Sequence, residues 1–504
     1  MKVNVFFKNT VVLVATSLVL RSVGILFRVW QVDKIGSEGM GLYQLIFSVY
    51  LLAATFSTAG ISTAVTRLVA DNEQKGEAAV RSVLKTATAV TLLVAAVSTA
   101  AVFFGAEPIA IYLLKDARAI PSLKILAFSL PFMGLSSCFR GYFIARRKTL
   151  QPSVVQLLEQ AVRIAVVVVC VSLWAERGLT YTAAAVLCGD TVAEGFSFLA
   201  NWLLYRKDRQ KLTKGEPLGN TLKSILHIAV PITASSYLGS VLHTVESLLV
   251  PLKLTVFHGA RGRGLELFGA IRGMALPVLF FPASFLSSLS TMLVPEVSSA
   301  SAAGDIRKVR ETVSRSVGLT LVLSTFVACG FMFNAADIGF TVYGDRDVGQ
   351  MILVLSPIVP LMYLESVTAG LLKGLDCQVN VLKFNTFDSA FRILAVVFVV
   401  PRFGIKGYLA IMMISNTFTS SLSAWCLFRA ADIRPQLGQW VLMPLVVGCV
   451  GGFLGNLASS GLHNTVFRLA VSLIVQAGVS AVFYIFQQKK TTTVTQKTLK
   501  FTHT

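Results

Sequence analysis

The stretch TVVLVATSLVLRSVGILFRVWQ, Thr10 to Gln31, decides how the chain is read. As an α-helix at ~1.5 Å per residue it reaches about 33 Å, enough to cross a bilayer. Arg21 stands at its middle and Arg28 follows two turns later. A guanidinium stays charged at any relevant pH. At mid-bilayer it costs between ~3 and 17 kcal/mol. Arg21 must therefore face water, a partner or a ligand. One reading is that a long stem carries the charged head to the interface, which suits Arg28, near the helix end, better than Arg21. The other is a water-filled cavity that binds an anion inside the membrane. Gly24, between the two arginines, removes side-chain bulk and allows a local bend.

The same hydropathy continues along all 504 residues, of which 54% are hydrophobic and 14% charged. Apolar runs of about 20 residues recur from end to end, the mark of an integral membrane protein without a sizeable extramembrane domain. The net charge of +20 does not point to nucleic acid, because helical membrane proteins gather Lys and Arg on their cytoplasmic side. Lys2 and Lys8 precede the first apolar run as in a signal peptide. That run is too long for such a segment, so it reads as a retained first helix. The seven cysteines form no C-x-x-C and no His/Cys metal spacing, so they read as packing thiols, with no structural metal and no cofactor expected.

The expected fold is an all-α polytopic membrane protein of about fourteen spans. Lys and Arg fall mainly on the connections that share a side with the amino terminus. This places both termini in the cytoplasm, with anionic lipid beside the basic loops. The most basic connection, 205–221, separates two repeats. Displacing the chain by 229 residues lays Asp116 on Asp345, Pro131 on Pro360, Gly141 on Gly370, Glu159 on Asp388 and Arg163 on Arg392. An even number of spans per repeat keeps both in the same orientation. The expected organisation is 1–204 (spans one to six), 205–221 (linker), 222–428 (spans seven to twelve), 429–487 (spans thirteen and fourteen) and 488–504 (polar tail).

Each repeat carries opposite charges one helical turn apart. Glu159 and Arg163 are spaced i, i+4 in span five, and Asp388 and Arg392 in span eleven. Such pairs lower the cost of both charges in lipid. They read either as structural ion pairs or as part of a substrate or ion site.

Three segments together carry a family resemblance: Arg21-Ser22-Val23-Gly24 with Arg28, IGSEGMGLYQLIFSVY (35–50), and GMALPVLFFPASFLSSLSTMLVPEVSSA (273–300). The chain resembles the multidrug/oligosaccharidyl-lipid/polysaccharide (MOP) flippase superfamily, and within it the polysaccharide-export branch of the stage V sporulation protein B type, related to lipid II flippases. The resemblance implies two lobes, alternating access and export of a lipid-linked saccharide. It implies a cationic central cavity, to which Arg21 and, less closely matched, Arg28 would contribute. Arg272 is either a third cavity charge or a snorkelling residue at the outer end of its span. The resemblance also implies Na+ or H+ as coupling ion, with Glu246, Asn385, Asp388 and Asn416 as candidate oxygen donors. Asn385 and Asp388 stand three residues apart where four would be expected.

The leading expectation is a flippase for an undecaprenyl-pyrophosphate-linked saccharide, a peptidoglycan or surface-polysaccharide precursor, with cell-wall synthesis proteins as possible partners. A drug/cation antiporter of the same superfamily is the alternative. It would want carboxylates in the first lobe's cavity, where span one offers two arginines and no acid. A membrane enzyme would want acids or histidine on a large outer loop, and the outer loops are short.

Overall fold

The computed structural model describes the backbone of residues 2–72, 76–209 and 220–501, and side chains over those ranges except 2–14, 59, 175, 209, 287–295 and 485–501. Among the described residues the regular structure is helical throughout. The principal helices are α1 (Lys2–Asn72), α2 (Glu77–Phe104), α3 (Ile120–Ala127), α4 (Ser129–Ala145), α5 (Leu150–Trp174), α6 (Leu179–Arg209), α7 (Thr221–His258) and α8 (Arg261–Gly269). They continue as α9 (Ala283–Ala302), α10 (Ile306–Tyr343), α11 (Arg346–Leu355), α12 (Val359–Gly374), α13 (Gln378–Ala430), α14 (Met443–Ser459) and α15 (Thr465–Phe501).

Eleven described segments are long and apolar enough to cross a membrane. Two of these hold two spans each. α1 breaks at Gly36 (φ 67°) and α13 at Gly404 (φ 57°). Both dihedrals lie in the left-handed region, which glycine enters without the clash a Cβ would bring. At Gly404 a Cβ would also stand 2.7 Å from the Phe257 ring. Dividing the two long helices there, and adding the broken helical run Arg261–Ala302, is consistent with fourteen spans. The chain is a multi-pass membrane protein.

The internal repeat is visible in the backbone. Lys115 and Gly344 both have positive φ, at 55° and 67°. The next residue in each repeat, Asp116 or Asp345, caps the following helix. Asp116 Oδ1 accepts the Arg118 N–H at 3.0 Å, and Asp345 Oδ1 accepts the Asp347 N–H at 2.8 Å. Further on, Arg147 and Asp376 have φ of 57° and 58°. The residue after each donates its N–H back across the turn, Lys148 to the Phe143 carbonyl at 2.9 Å and Cys377 to the Leu372 carbonyl at 2.8 Å. All these pairs share the same displacement of 229 residues.

The chain condenses into two compact units. The first is Met1–Gly273 with Ser389–Tyr408; the second is Met274–Asp388 with Leu409–Thr504. In the first, the part of α1 beyond Gly36 packs along α7 and α8 through small residues. Thr244 Oγ1 donates to the Ser48 carbonyl at 3.0 Å, the Thr55 and Ser240 hydroxyls lie 2.9 Å apart, and the Gly60 N–H donates to Thr233 Oγ1 at 3.1 Å. A Cβ on Gly41 would stand 2.1 Å from the Leu265 carbonyl oxygen, and one on Gly269 2.0 Å from that of Ser37. With lipid as solvent, such close backbone approach and interhelical hydrogen bonds are what hold helices together.

In the second unit, α14 and α15 pack on each other and α14 packs on α10. A Cβ on Gly455 would stand 2.6 Å from the Ser472 carbonyl oxygen, and one on Gly448 2.7 Å from Cys329 Sγ. A groove of about 690 Å³ opens beside them, with Phe285, Phe326, Phe331, Tyr363, Leu473 and Tyr484 among its walls. Its lining is overwhelmingly apolar, suited to a hydrocarbon chain.

Candidate functional site

Among the described residues, two clusters of charged side chains stand out well inside the spans of the first unit. The more enclosed one is built on Glu246 of α7, whose relative exposure is 0%. A lone carboxylate at that depth is costly. Two guanidinium groups reach it. Arg272 Nη2 donates to Glu246 Oε1 at 2.8 Å, and Arg392 Nη2 lies 3.4 Å from Oε2. Arg272 sits on the π-helical turn Ala270–Ala275 that follows α8. Such a turn inserts an extra residue and re-aims the side chains around it. Arg272 Nε also donates to the Tyr408 hydroxyl at 3.3 Å. Glu246 Oε2 is buried and accepts no hydrogen bond, and His243 Nδ1 is likewise buried without a partner. His243 lies three residues before Glu246 on the same helix, and the charges of Arg272, Glu246 and Arg392 all act on its ring.

The second cluster joins α5 and α6. Arg163 Nη2 donates to Glu159 Oε1 at 2.9 Å, its Nη1 donates to Gln160 Oε1 at 2.8 Å, and its Nε lies 2.9 Å from Asp190 Oδ1. The expected Glu159–Arg163 pair is thus present, extended by Asp190. Glu194, one turn beyond Asp190, feels the charges of Glu159, Asp190, Arg140 and Arg163. Asp190 Oδ2 and Glu194 Oε2 are buried without hydrogen-bond partners. Glu159 and Asp190 thus share the Arg163 guanidinium, and Glu194 lies within reach of the charges of both Arg163 and Arg140.

A third network lies in the loops. Arg118 Nη2 donates to Glu38 Oε1 and to Asp116 Oδ2, both at 2.9 Å, and Arg261 Nε lies 3.6 Å from Asp116 Oδ2. Arg261 also donates to the Leu114 carbonyl. Burial pushes the Asp116 carboxyl up, but the Arg118 side chain and N–H, with Arg261, more than offset this and hold it below the usual carboxylate range. The network ties the connection at Gly36 to those before α3 and α8.

Arg21 is exposed on α1; Arg28 is half-buried, and its charge reaches the Tyr43 hydroxyl, as do those of Arg163 and Asp190. The structure brings Arg272 to Glu246. Asn385 is exposed, and Asn416 Nδ2 donates to its own helix at the Met412 carbonyl, 2.8 Å away. Asp388 is buried and accepts the Ser415 hydroxyl at 2.5 Å. Glu246 and Arg392 belong to the first unit; Asn385, Asp388 and Asn416 belong to the second. Four residues of these clusters were not singled out in the sequence: Asp190, Glu194, His243 and Tyr408. The first two had a legible signal, since they are acids spaced i, i+4 in an apolar span. Tyr408 had none.

A family described as polysaccharide biosynthesis protein matches residues 6–260. Stage V sporulation protein B of Bacillus subtilis (strain 168) is 25% identical over 462 residues, 90% of this chain and 89% of the relative. Among solved structures, the lipid II flippase MurJ in an inward closed conformation superposes with a TM-score of 0.71 at 14% identity, over 94% of this chain and 98% of that one. An inward-facing multidrug resistance MATE family transporter of the MOP superfamily gives a TM-score of 0.61 at 14% identity, over 83% and 98%. Among the described residues no group of three or more His, Cys, Asp or Glu could hold a metal ion.

Proposed function

The chain belongs to the polysaccharide biosynthesis protein family, and from that premise we propose that it is a flippase. It would move an undecaprenyl-pyrophosphate-linked saccharide outward across the bacterial cytoplasmic membrane by alternating access, with both termini in the cytoplasm. It is a transporter and not an enzyme. The observation that carries the reading is the set of arginines within the spans. Arg21 and Arg28 lie on α1, and Arg272 and Arg392 both reach the carboxylate of Glu246. A pyrophosphate cannot cross hydrocarbon unaided, and guanidinium presents a planar fork that takes two of its oxygens at once. An inside-negative potential favours the direction, by ~2.3 kcal/mol per 100 mV for each anionic charge moved outward. The apolar groove beside α15 suits the polyprenyl tail, which can remain in an oily environment throughout.

A sodium ion or proton drives the cycle in this reading. Of the four oxygen donors expected for it, Glu246 is held by guanidinium groups, which leaves Asp388, Asn385 and Asn416 on α13. The buried, unpartnered carboxylate oxygens of Asp190 and Glu194 in the α5–α6 cluster favour a second reading, a cation or drug antiporter. Proton-driven export of a cationic dye that disappears in Asp190→Asn, with no saccharide flipping by the unaltered protein, would select it.

The test is flipping of defined lipid-linked saccharides in reconstituted vesicles. If Arg21 grips the pyrophosphate, Arg21→Lys keeps the charge and loses the fork, and should be clearly impaired. Arg21→Ala should be nearly inactive, with protein inserted and folded. A hydrogen bond to a charged group is worth ~1.5–3 kcal/mol, roughly tenfold to more than a hundredfold in binding. Arg28 should follow in the same order with a smaller effect. Full activity of Arg21→Ala at normal expression would remove Arg21 from the anion path.

A further inference from the structure

We infer that Glu246 is a built-in stand-in for the substrate's phosphate: it holds Arg272 and Arg392 when the protein is empty and is displaced from them when the anion arrives. The inference rests on the flippase reading and adds to it Arg392 as a substrate ligand and Glu246 as an internal competitor.

The geometry carries the argument. Carboxylate and phosphate offer the same kind of oxygen to a guanidinium, and both are favoured when held by two bonds at once. Glu246 does not achieve this with either arginine. Arg272 gives it one bond at 2.8 Å and directs its Nε to Tyr408 instead. Arg392 stays at 3.4 Å from Oε2, and that oxygen is buried without a hydrogen bond. A half-satisfied buried carboxylate is a poor structural ion pair, because each unmade bond keeps its desolvation cost. It is, however, a good placeholder. It holds two guanidinium groups at its own oxygens, but weakly enough to yield them to an anion with more oxygens and more charge.

A displaced Glu246 also needs somewhere to go. His243 stands one turn back on α7, and its buried Nδ1 has no hydrogen-bond partner. Carrying a proton, Nδ1 can donate to the released carboxylate. Tyr408, fully buried beside Arg272, keeps that guanidinium oriented while Glu246 leaves it. Return of Glu246 to the arginines then competes with the bound head group and speeds its release. Binding and release would thus share one pair of arginines and one competing carboxylate.

The experiment uses the full chain in lipid nanodiscs, with farnesyl pyrophosphate as probe and farnesol as control. Glu246→Gln removes the competing charge and keeps the side chain's shape. It should bind farnesyl pyrophosphate about tenfold more tightly than the unaltered protein and show a larger thermal stabilisation by it. Its saccharide flipping in vesicles should be slower, because release is slowed. Arg272→Gln and Arg392→Gln should each weaken the probe about tenfold or more. Farnesol binding should not change in any variant. Glu246→Gln binding that is unchanged or weaker, in protein that elutes and melts as folded, would overturn the inference. So would Arg392→Gln with unaltered affinity. Should the Gln variant not fold, the unaltered protein decides the matter by infrared difference spectroscopy with isotope-labelled Glu. A carboxylate band must shift on adding farnesyl pyrophosphate and not farnesol; no shift overturns the inference. If the unaltered protein neither binds the probe nor flips any pyrophosphate-linked lipid, the flippase reading itself fails. Binding and flipping that ignore all three substitutions bring down this inference alone.

Discussion

Arg163→Met should destabilise the protein by about 3–5 kcal/mol, the range for removing one partner from a buried charge cluster. Arg163 touches Glu159 and Asp190 directly, each at 2.9 Å, and is one of the two cations whose charge acts on Glu194. Without it the carboxylates of α5 and α6 face one another at close range. Like charges in such a site are relieved only by taking up protons or by moving apart. Thermal unfolding of the purified protein in detergent measures the loss. Adding Asp190→Asn and Glu194→Gln to the same protein should restore most of it, because the repulsion and the unpaired charge are removed together. The non-additivity of the three changes measures the coupling. An Arg163→Met protein that melts with the unaltered one would mean that these carboxylates are neutral in the folded state.

The second large effect is expected at Gly41. A methyl group there would meet the Leu265 carbonyl oxygen at 2.1 Å. The obstacle is backbone, so no side-chain rotation relieves it, and α1 must move off α8. Overpacking of this kind costs about 1–3 kcal/mol, and Gly41→Leu should exceed Gly41→Ala. Gly24→Ala is the control. It is also a helical glycine of α1, but nothing lies within 4 Å of its Cβ position. That change should leave stability unaltered or raise it by a few tenths of a kcal/mol. Equal melting temperatures for Gly41→Ala and Gly24→Ala would mean that the α1–α8 contact has room to open.

How much of this could be read from the residues follows their range in sequence. The spans follow from apolar runs, and Glu159–Arg163 from i, i+4 spacing, because both are local. The repeat was legible for a similar reason. Asp116 and Asp345 are unusual residues at equivalent places, and the folded chain uses both as helix caps. What makes Glu246 informative was not legible. Its partners are 26 and 146 residues away, and they meet it only because a π turn re-aims Arg272 and because the Ser389–Tyr408 stretch folds with the first unit. No periodicity reports such meetings. Glu246, Asn385, Asp388 and Asn416 read as an oxygen set for a cation because acids and amides are visible in a sequence. The guanidinium groups already on Glu246 become visible only once the helices are assembled. The same limit hid Asp190 and Glu194 as neighbours of Arg163. Spacing within α5 offered Arg163 a partner, and a competing partner on α6 needs the fold.

The hydroxyl contact between Thr55 on α1 and Ser240 on α7, at 2.9 Å, gives the seam between those helices a use beyond cohesion. Cysteine is nearly the size of either residue, and its longer bonds to sulfur help two side chains so placed reach the ~2.05 Å of a disulfide. Thr55→Cys with Ser240→Cys should therefore oxidise readily into a covalent bolt across the first unit. The bolt turns a static contact into a clock. Purified protein held in different conditions would cross-link at a rate set by how often the seam is closed, and reductant would reset it. Flipping that stops on oxidation and resumes on reduction would show that these two helices part in every cycle. Flipping that continues through the bolt would assign the moving joint to other helices.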